Sequence, residues 1–284
     1  MNYRHGYHAG NFADVFKHTI LIALINALSR KETPFCYLET HAGRGLYDLS
    51  SEFSQKTQEY TTGVARLMSN GVSSTNKLSH PLPPIVKQYQ KIVTEFQYPR
   101  YYPGSPAIVK NLLRKNDRMI LMEYHPEEFK YLQNIFRNDR QINLHHQDGY
   151  LGLKAFLPPK ERRGLVLIDP PFEAASEWDS LKKVLKIGMQ KFSHGIYAIW
   201  YPLKNQSTVN KFLDSLTTLG PEVLISELTI YPTDAQFNLT GCGLAIVNPP
   251  WQLEDELRPL VSLLWETFSV KGAGHFSVRT ELSP

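Results

Sequence analysis

Short apolar runs alternate with helical patterns along most of the chain. Pro34–Glu39 (PFCYLE), Arg118–Glu123 (RMILME), Gln141–His146 (QINLHH), Gly164–Ile168 (GLVLI), Gly195–Trp200 (GIYAIW), Val223–Tyr231 and Gly243–Val247 each end in polar residues, glycine or proline. Runs this short and this continuously apolar predict strands buried on both faces. Their alternation with helices predicts an α/β fold with a seven-stranded, mostly parallel sheet. Asn11 and Asp14 make a cap-like start for a helix reaching about Arg30, with Phe12, Val15, Phe16, Thr19, Ile20 and Ile22–Leu24 on its apolar side. Ser105-Pro106 places a capping hydroxyl before a proline at the first helical position, predicting a helix to about Lys115. Pro126 opens another, carrying Phe129, Leu132 and Phe136.

One spacing is abnormal. A βαβ unit returns to its sheet after about 30 residues, yet Glu39 and Glu123 lie 84 positions apart. The excess falls at residues 50–100, which hold Gly71-Val72-Ser73-Ser74, Pro81-Leu82-Pro83-Pro84 and helical patterns at Thr57–Met68 and Ile85–Phe96. The expected organisation is a sheet domain of residues 1–49 and 101–284, with a small helical insertion at 50–100. An insertion there stands at the carboxyl edge of the sheet, where open α/β sheets bind ligands.

Composition narrows the class without naming a partner. The chain has 284 residues, 42% of them hydrophobic and 20% charged, as in a folded globular protein. Two cysteines, Cys36 and Cys242, cannot build a disulfide framework or a four-cysteine zinc site. No continuous apolar run approaches the length of a membrane span, and Met1–His5 lacks the layout of a signal peptide. A soluble cytoplasmic monomer is expected, with no membrane partner. A formal net charge of +4 permits nucleic-acid binding without demanding it.

The sharpest chemical signal is Asp169-Pro170-Pro171-Phe172, which directly follows an apolar strand. The prolines remove backbone donors and fix φ, so rigid carbonyls face outward beside a carboxylate and a ring. That set fits a flat heterocycle with an exocyclic amino group, held by Asp169 and the Pro170 region and stacked on Phe172. An ordinary Asp-Pro turn closing a strand has the same sequence, and Asn248-Pro249-Pro250-Trp251 illustrates that plainer use. Ala42-Gly43-Arg44-Gly45 after the first strand lets a ligand approach the backbone, although it lacks the full G-x-G-x-x-G fingerprint. Glu123 ends the second strand, where an acid can receive ribose hydroxyls, and Asp148-Gly149 after the third can cap an adenine ring. In this order the motifs fit an S-adenosylmethionine pocket followed by an amino-methylation clamp. Arg4, Lys17, Arg44, Arg162 and Arg163 are either phosphate contacts or solvated surface.

Further stretches point the same way: Tyr3-Arg4-His5, His8-Ala9-Gly10-Asn11, Lys17-His18-Thr19, Thr40-His41-Ala42-Gly43, Arg100–Pro106 (RYYPGSP), Glu123-Tyr124-His125-Pro126 and Trp200-Tyr201-Pro202. With these, the chain resembles the bacterial 23S ribosomal RNA adenine-N6 methyltransferases of the RlmJ type, a family also labelled as DNA-utilisation proteins. The resemblance implies a Rossmann-like, class I S-adenosylmethionine-dependent methyltransferase fold, with 23S ribosomal RNA as partner and no metal. By similarity, Lys17, His18, His41, Ser105, Glu123, Asp148, Gly149 and Asp169 line the cofactor site, joined by Gly43 of the glycine turn. Asp169, Pro170 and Phe172 form the catalytic clamp. Tyr3, in an N-terminal tail within residues 1–18 that the family folds over the active site, touches the substrate adenosine. The chain departs from the family at Phe172, where Tyr is usual; the stacking face stays and the hydroxyl is lost.

Three rival readings remain. His5, His8, His18, His41, His145 and His146 invite a metal-dependent nuclease acting on external DNA, though no H-E-x-x-H pair is present. A DNA adenine methyltransferase would share the clamp and differ only in its substrate groove. A non-catalytic nucleic-acid-binding protein is the third possibility.

Overall fold

The computed structural model describes residues 4–69, 82–174, 176–220, 222–232 and 239–283. Tyr3 and Gly71–Ser74 lie outside the described residues. A 3-10 turn at His5–Tyr7 leads into α1 (Phe12–Ser29), followed by β1 (Cys36–Glu39) and β2 (Leu46–Asp48). Four helices come next: α2 (Glu52–Thr57), α3 (Glu59–Thr62), α4 (Val64–Ser69) and α5 (Pro84–Glu95). β3 (Tyr101–Pro103), α6 (Ser105–Leu112), β4 (Arg118–Glu123), α7 (Pro126–Phe136), β5 (Ile142–His146) and α8 (Gly149–Phe156) continue the chain. β6 (Gly164–Ile168), α9 (Glu177–Lys191), β7 (Ile196–Pro202) and α10 (Gln206–Leu216) precede β8 (Glu222–Thr229), β9 (Gly241–Val247), α11 (Leu253–Phe268) and β10 (His275–Leu282).

The main sheet has eight strands in the order β10-β8-β9-β7-β6-β1-β4-β5, so the expected count of seven is corrected by one. β5, β4, β1, β6 and β7 run parallel, whereas β9 is antiparallel to β7 and β8, and β10 is antiparallel to β8. The extra strand, β10, is an edge strand with only Val278 buried, so it lacks the continuous apolar run that marks the others. Successive residues of the central strands serve opposite faces. Leu165 and Leu167 join the core beneath α1, α5, α6 and α11, while Val166 and Ile168 join the one beneath α9 and α10. This is the Rossmann-like class I methyltransferase layout, with an antiparallel end.

α1 is the central helix of the fold. Asn11 caps it, its side chain accepting from the Asp14 amide at 2.9 Å. The expectation of no span-length apolar segment needs correction here: α1 has 18 residues and a mean hydropathy of 1.4, enough by length and composition to cross a membrane. It is apolar all round because it is enclosed all round, with 83% of its residues buried against the sheet and α5, α6 and α11.

Local chemistry revises two further expectations. The pattern at 57–68 is not one helix; it breaks at Gln58, which has φ +52°, and at Gly63. A Cβ on Gly63 would stand 2.1 Å from the Gly10 carbonyl oxygen, so only glycine lets α3–α4 meet the start of α1. Ser105 is not a cap. Gly104 holds the cap position of α6, the helix ends at Leu112, and the Ser105 hydroxyl donates to the Glu39 carboxylate instead. β2 and β3 pair as a separate antiparallel ribbon on either side of α2–α5 in the sequence.

Candidate active site

The carboxyl ends of the parallel strands open into a cavity of about 960 Å³. Glu39, the last residue of β1, is fully buried nearby. Tyr37 donates its phenol to Glu39 Oε2 at 2.8 Å and Ser105 donates to Oε1. Burial still dominates over these donors and pushes the Glu39 carboxyl up to about 8. One turn later the chain swings through Gly43, with φ +60°, whose amide donates to Glu123 Oε2 at 2.7 Å. The His125 amide donates to Glu123 Oε1 at 2.6 Å. Glu123 therefore ties the glycine turn of β1 to the end of β4. Each of its oxygens keeps a second lone pair for a ligand hydroxyl.

Asp169 follows β6 directly and draws its partner from α1. Lys17 Nζ donates to Asp169 Oδ2 at 2.6 Å and lies 3.0 Å from Asp14 Oδ1. Asp14 is itself held by the Gly10 amide at 2.9 Å and by His5 Nε2 at 2.8 Å. Burial works against the Lys17 ammonium, but Asp169 and Asp14 outweigh it and hold its pKa well above the usual lysine value. Burial likewise opposes ionisation of Asp14, yet His5 and Lys17 hold its carboxyl well below the usual range. The Lys17 ammonium thus stands between the carboxylates of Asp14 and Asp169 at the cavity wall, with His5 on the other oxygen of Asp14. His18 and His41 stay neutral at physiological pH, since burial lowers them to about 3 and about 4. His18 Nδ1 pairs with the Tyr102 hydroxyl at 2.8 Å, which in turn meets Tyr89 at 3.1 Å.

Phe172 takes a left-handed backbone, φ +50°, which turns its ring back toward the cavity. The ring packs 4.7 Å from Trp178 and 6.0 Å from Trp200 by centroids, at interplanar angles of 52° and 58°. The cavity thus has a carboxylate, proline carbonyls and an aromatic shelf at the end of one strand.

Lys17, His18, His41, Gly43, Ser105, Glu123, Asp169, Pro170 and Phe172 all line this cavity. Asp148 and Gly149 are not among its lining residues. Asp148 caps α8, accepting from the amides of Tyr150 at 2.7 Å and Leu151 at 3.0 Å. A Cβ on Gly149 would stand 2.1 Å from the Thr40 carbonyl oxygen, so this glycine lets α8 pack against the end of β1. Arg44 is taken up by Glu128 (Nε to Oε2, 2.8 Å) and Arg163 by the carbonyls of Leu28 and Thr33, which leaves neither as a mobile phosphate ligand. The histidines do not converge. His5 meets Asp14, His8 meets Glu59, His18 meets Tyr102 and His41 meets Thr40, while His145 and His146 pack on Phe156 and Phe129. Among the described residues, no group of three or more His, Cys, Asp or Glu side chains could hold a metal ion.

Sequence reasoning gave Asp14 a capping role and missed its pairing with Lys17; their i,i+3 spacing on one helix was the available signal. Glu39 and Trp200 were also missed as site residues, although each stands at a strand's carboxyl end.

A family model described as RsmJ, ribosomal RNA large subunit methyltransferase D, RlmJ, matches residues 32–280. The chain is 38% identical over 283 residues to the ribosomal RNA large subunit methyltransferase J of Haemophilus influenzae, covering 98% of both chains. It is 37% identical over 282 residues to the protein of the same name from Escherichia coli, again covering 98% of both. Among solved structures, protein LPL1258 of Legionella pneumophila superposes with a TM-score of 0.84 at 34% identity, over 97% of this chain and 98% of that one. The family model over residues 32–280 and the end-to-end identity to these relatives make the chain a member of the ribosomal RNA large subunit methyltransferase D (RlmJ) family.

Proposed function

We propose that this protein methylates the N6 amino group of an adenine in 23S ribosomal RNA, using S-adenosylmethionine. The observation that carries the reading is the state of Asp169. Its Oδ2 is fixed by Lys17, and its Oδ1 has no protein partner among the described residues where it adjoins the cavity beside Phe172. Relatives named as large-subunit ribosomal RNA methyltransferases support the substrate class.

The residues present fit the donor. Glu123 offers lone pairs to ribose hydroxyls, the Gly43 turn admits a close backbone approach, and the open Oδ1 of Asp169 at the cavity suits a cationic ligand. We assign Lys17, His18, His41, Gly43, Ser105, Glu123 and Asp169 to its walls, with Asp148 and Gly149 supporting them from α8. When bound, S-adenosylmethionine supplies an electrophilic methyl group on sulfur. Asp169 Oδ1 and the Pro170 carbonyl accept the two amino hydrogens and so aim the nitrogen lone pair away from the clamp. Phe172 stacks on the base and holds it in the plane that this geometry needs. Lys17 keeps its proton throughout, because Asp169 and Asp14 hold its pKa high. It therefore orients Asp169 and accepts nothing; the proton displaced from nitrogen leaves to water. The walls beyond the clamp come from His5, His8 and the α2–α3 junction at Thr57–Thr62. Residues 50–100 then act as a substrate-facing insertion, and we assign Tyr3 to contact with the substrate adenosine.

Methyl transfer from labelled S-adenosylmethionine to deproteinised 23S rRNA and to duplex DNA, with chelator present, tests the reading. Label recovered as N6-methyladenine in RNA and abolished by Asp169→Ala is the expected result. Label in DNA alone, or none in either substrate, refutes it.

A further inference from the structure

The edge of the sheet opposite the active site carries a second cavity, of about 360 Å³. Its walls include Arg30, Lys31, Arg163, His194, Ile196 and Trp251, and among the described residues no carboxylate lines it. Trp251 is 80% exposed, the highest exposure of any large hydrophobic residue among those described.

That exposure is built in. Trp251 sits in a tight loop between β9 and α11, flanked by Asn248 at φ +56° and Gln252 at φ +63°. The Asn248 side chain donates to the carbonyls of Ser193 and Gly195, both at 2.8 Å, pinning the loop to the turn before β7. Pro249 and Pro250 stiffen what lies between. Leu253, two residues on, is buried, so the loop anchors in the core and still holds its indole outward. The cations around it are ordered too. Arg163 is held by the Leu28 and Thr33 carbonyls, and Arg30 pairs with Glu256. Lys31 has no carboxylate partner among the described residues. An outward aromatic face on an anchored loop, beside a lysine without a carboxylate partner among the described residues, is the recognition chemistry of a single nucleic-acid strand, in which a base stacks and an adjoining phosphate meets the cation.

We propose that this cavity is a second RNA-binding site, taking an unpaired nucleotide of the substrate RNA on Trp251 with its flanking phosphate on Lys31. The inference rests on the proposed action on ribosomal RNA. Ile196, at the start of β7, lines this cavity, and Trp200 and Pro202, at the other end of the same strand, line the active site. The two sites are therefore separated by roughly one strand length, about 20 Å. One folded RNA can engage both, which extends the footprint well beyond the target adenine.

The test is retention of deproteinised 23S rRNA by the full-length protein without methyl donor, followed by steady-state methylation. Trp251→Ala should weaken RNA binding about tenfold, and Trp251→Phe, which keeps a stacking face, no more than about twofold. Lys31→Glu should reduce the salt dependence of binding by about one counterion. In the methylation assay Trp251→Ala should raise KM for RNA and leave kcat unchanged, which a general loss of structure would not do. Wild-type affinity in both Trp251→Ala and Lys31→Glu overturns the proposal. So does a fall in kcat matching the rise in KM, or loss of a self-associated form with RNA affinity intact. If the wild-type protein binds 23S rRNA and transfers no methyl group, the catalytic reading fails, and the binding results still decide this site.

Discussion

A buried carboxylate and a half-buried one, at opposite parts of the same sheet, show what distinguishes a site from a strut. Glu227, on β8 in the antiparallel end, is closed. Tyr201 donates to its Oε1 at 2.9 Å, and Arg279 and Ser277 donate to its Oε2 at 3.0 Å and 3.4 Å. Asp169, at the carboxyl edge of the parallel half, is fixed on one oxygen by Lys17 and open on the other toward a cavity. Each is paired with a cation, as charges withdrawn from water are. Only Asp169 retains an acceptor for something outside the protein. The antiparallel end completes the sheet and buries its edge, and the parallel half, whose strands all end on one side, collects the chemistry.

Replacing the cation of each pair should break that comparison most visibly. Lys17→Ala leaves Asp14, 2% exposed, without its lysine and Asp169 without its anchor. We expect methyl transfer to fall about 10²- to 10³-fold, by analogy with removing a positioned active-site hydrogen bond. Unfolding in urea should show a loss of about 2–3 kcal/mol, since buried Asp14 keeps His5 and the Gly10 amide but loses its charged donor. Arg279→Ala removes a half-exposed partner, and screening by solvent limits the cost to about 1–2 kcal/mol with kcat unchanged. Equal effects on kcat from both variants would erase the distinction.

The sequence showed the parallel half better than the antiparallel end for a physical reason. Strands covered on both faces, such as Gly164–Ile168 with every residue buried, must be apolar throughout and announce themselves. β10, half-buried along most of its length, carries Arg279, Thr280 and Glu281 on an edge and reads as loop. The motif at 169–172 was legible because its residues are consecutive. Lys17 stands 152 positions from Asp169, so their contact exists only once α1 crosses the sheet. Ser105 misled in the opposite way: a hydroxyl beside a helical proline has the pattern of a cap, but a buried carboxylate 66 positions away is the stronger acceptor.

Glu39 sharpens the comparison through pH. Its carboxyl is raised from an ordinary 4.5 to about 8, so between those limits the folded protein holds a proton that the unfolded chain has released. Stability from this group is complete below about pH 4.5 and is lost as pH rises through 8, by up to about 5 kcal/mol. Glu39→Gln cannot ionise and should flatten the decline. Urea midpoints at pH 5 and pH 8 check this; a wild-type midpoint that stays level across that window while other groups are accounted for would refute it. Glu39 thus makes the stability of the fold sensitive to pH across the window from about 4.5 to about 8.

The smallest expected effect is at Phe172. Restoring the hydroxyl usual in the family, as Phe172→Tyr, changes neither the ring that faces the cavity nor its packing against Trp178 and Trp200. On the proposed function Asp169 and the Pro170 carbonyl accept both amino hydrogens, so the phenol has no essential bond to supply. We expect kcat/KM within about threefold of wild type. Phe172→Ala removes the stacking face and should cost about 1–3 kcal/mol of substrate binding, read as a higher KM. A large gain from Phe172→Tyr would mean that the hydroxyl positions the base, and that the clamp in this chain is incomplete at the point where Asp169 alone was thought sufficient.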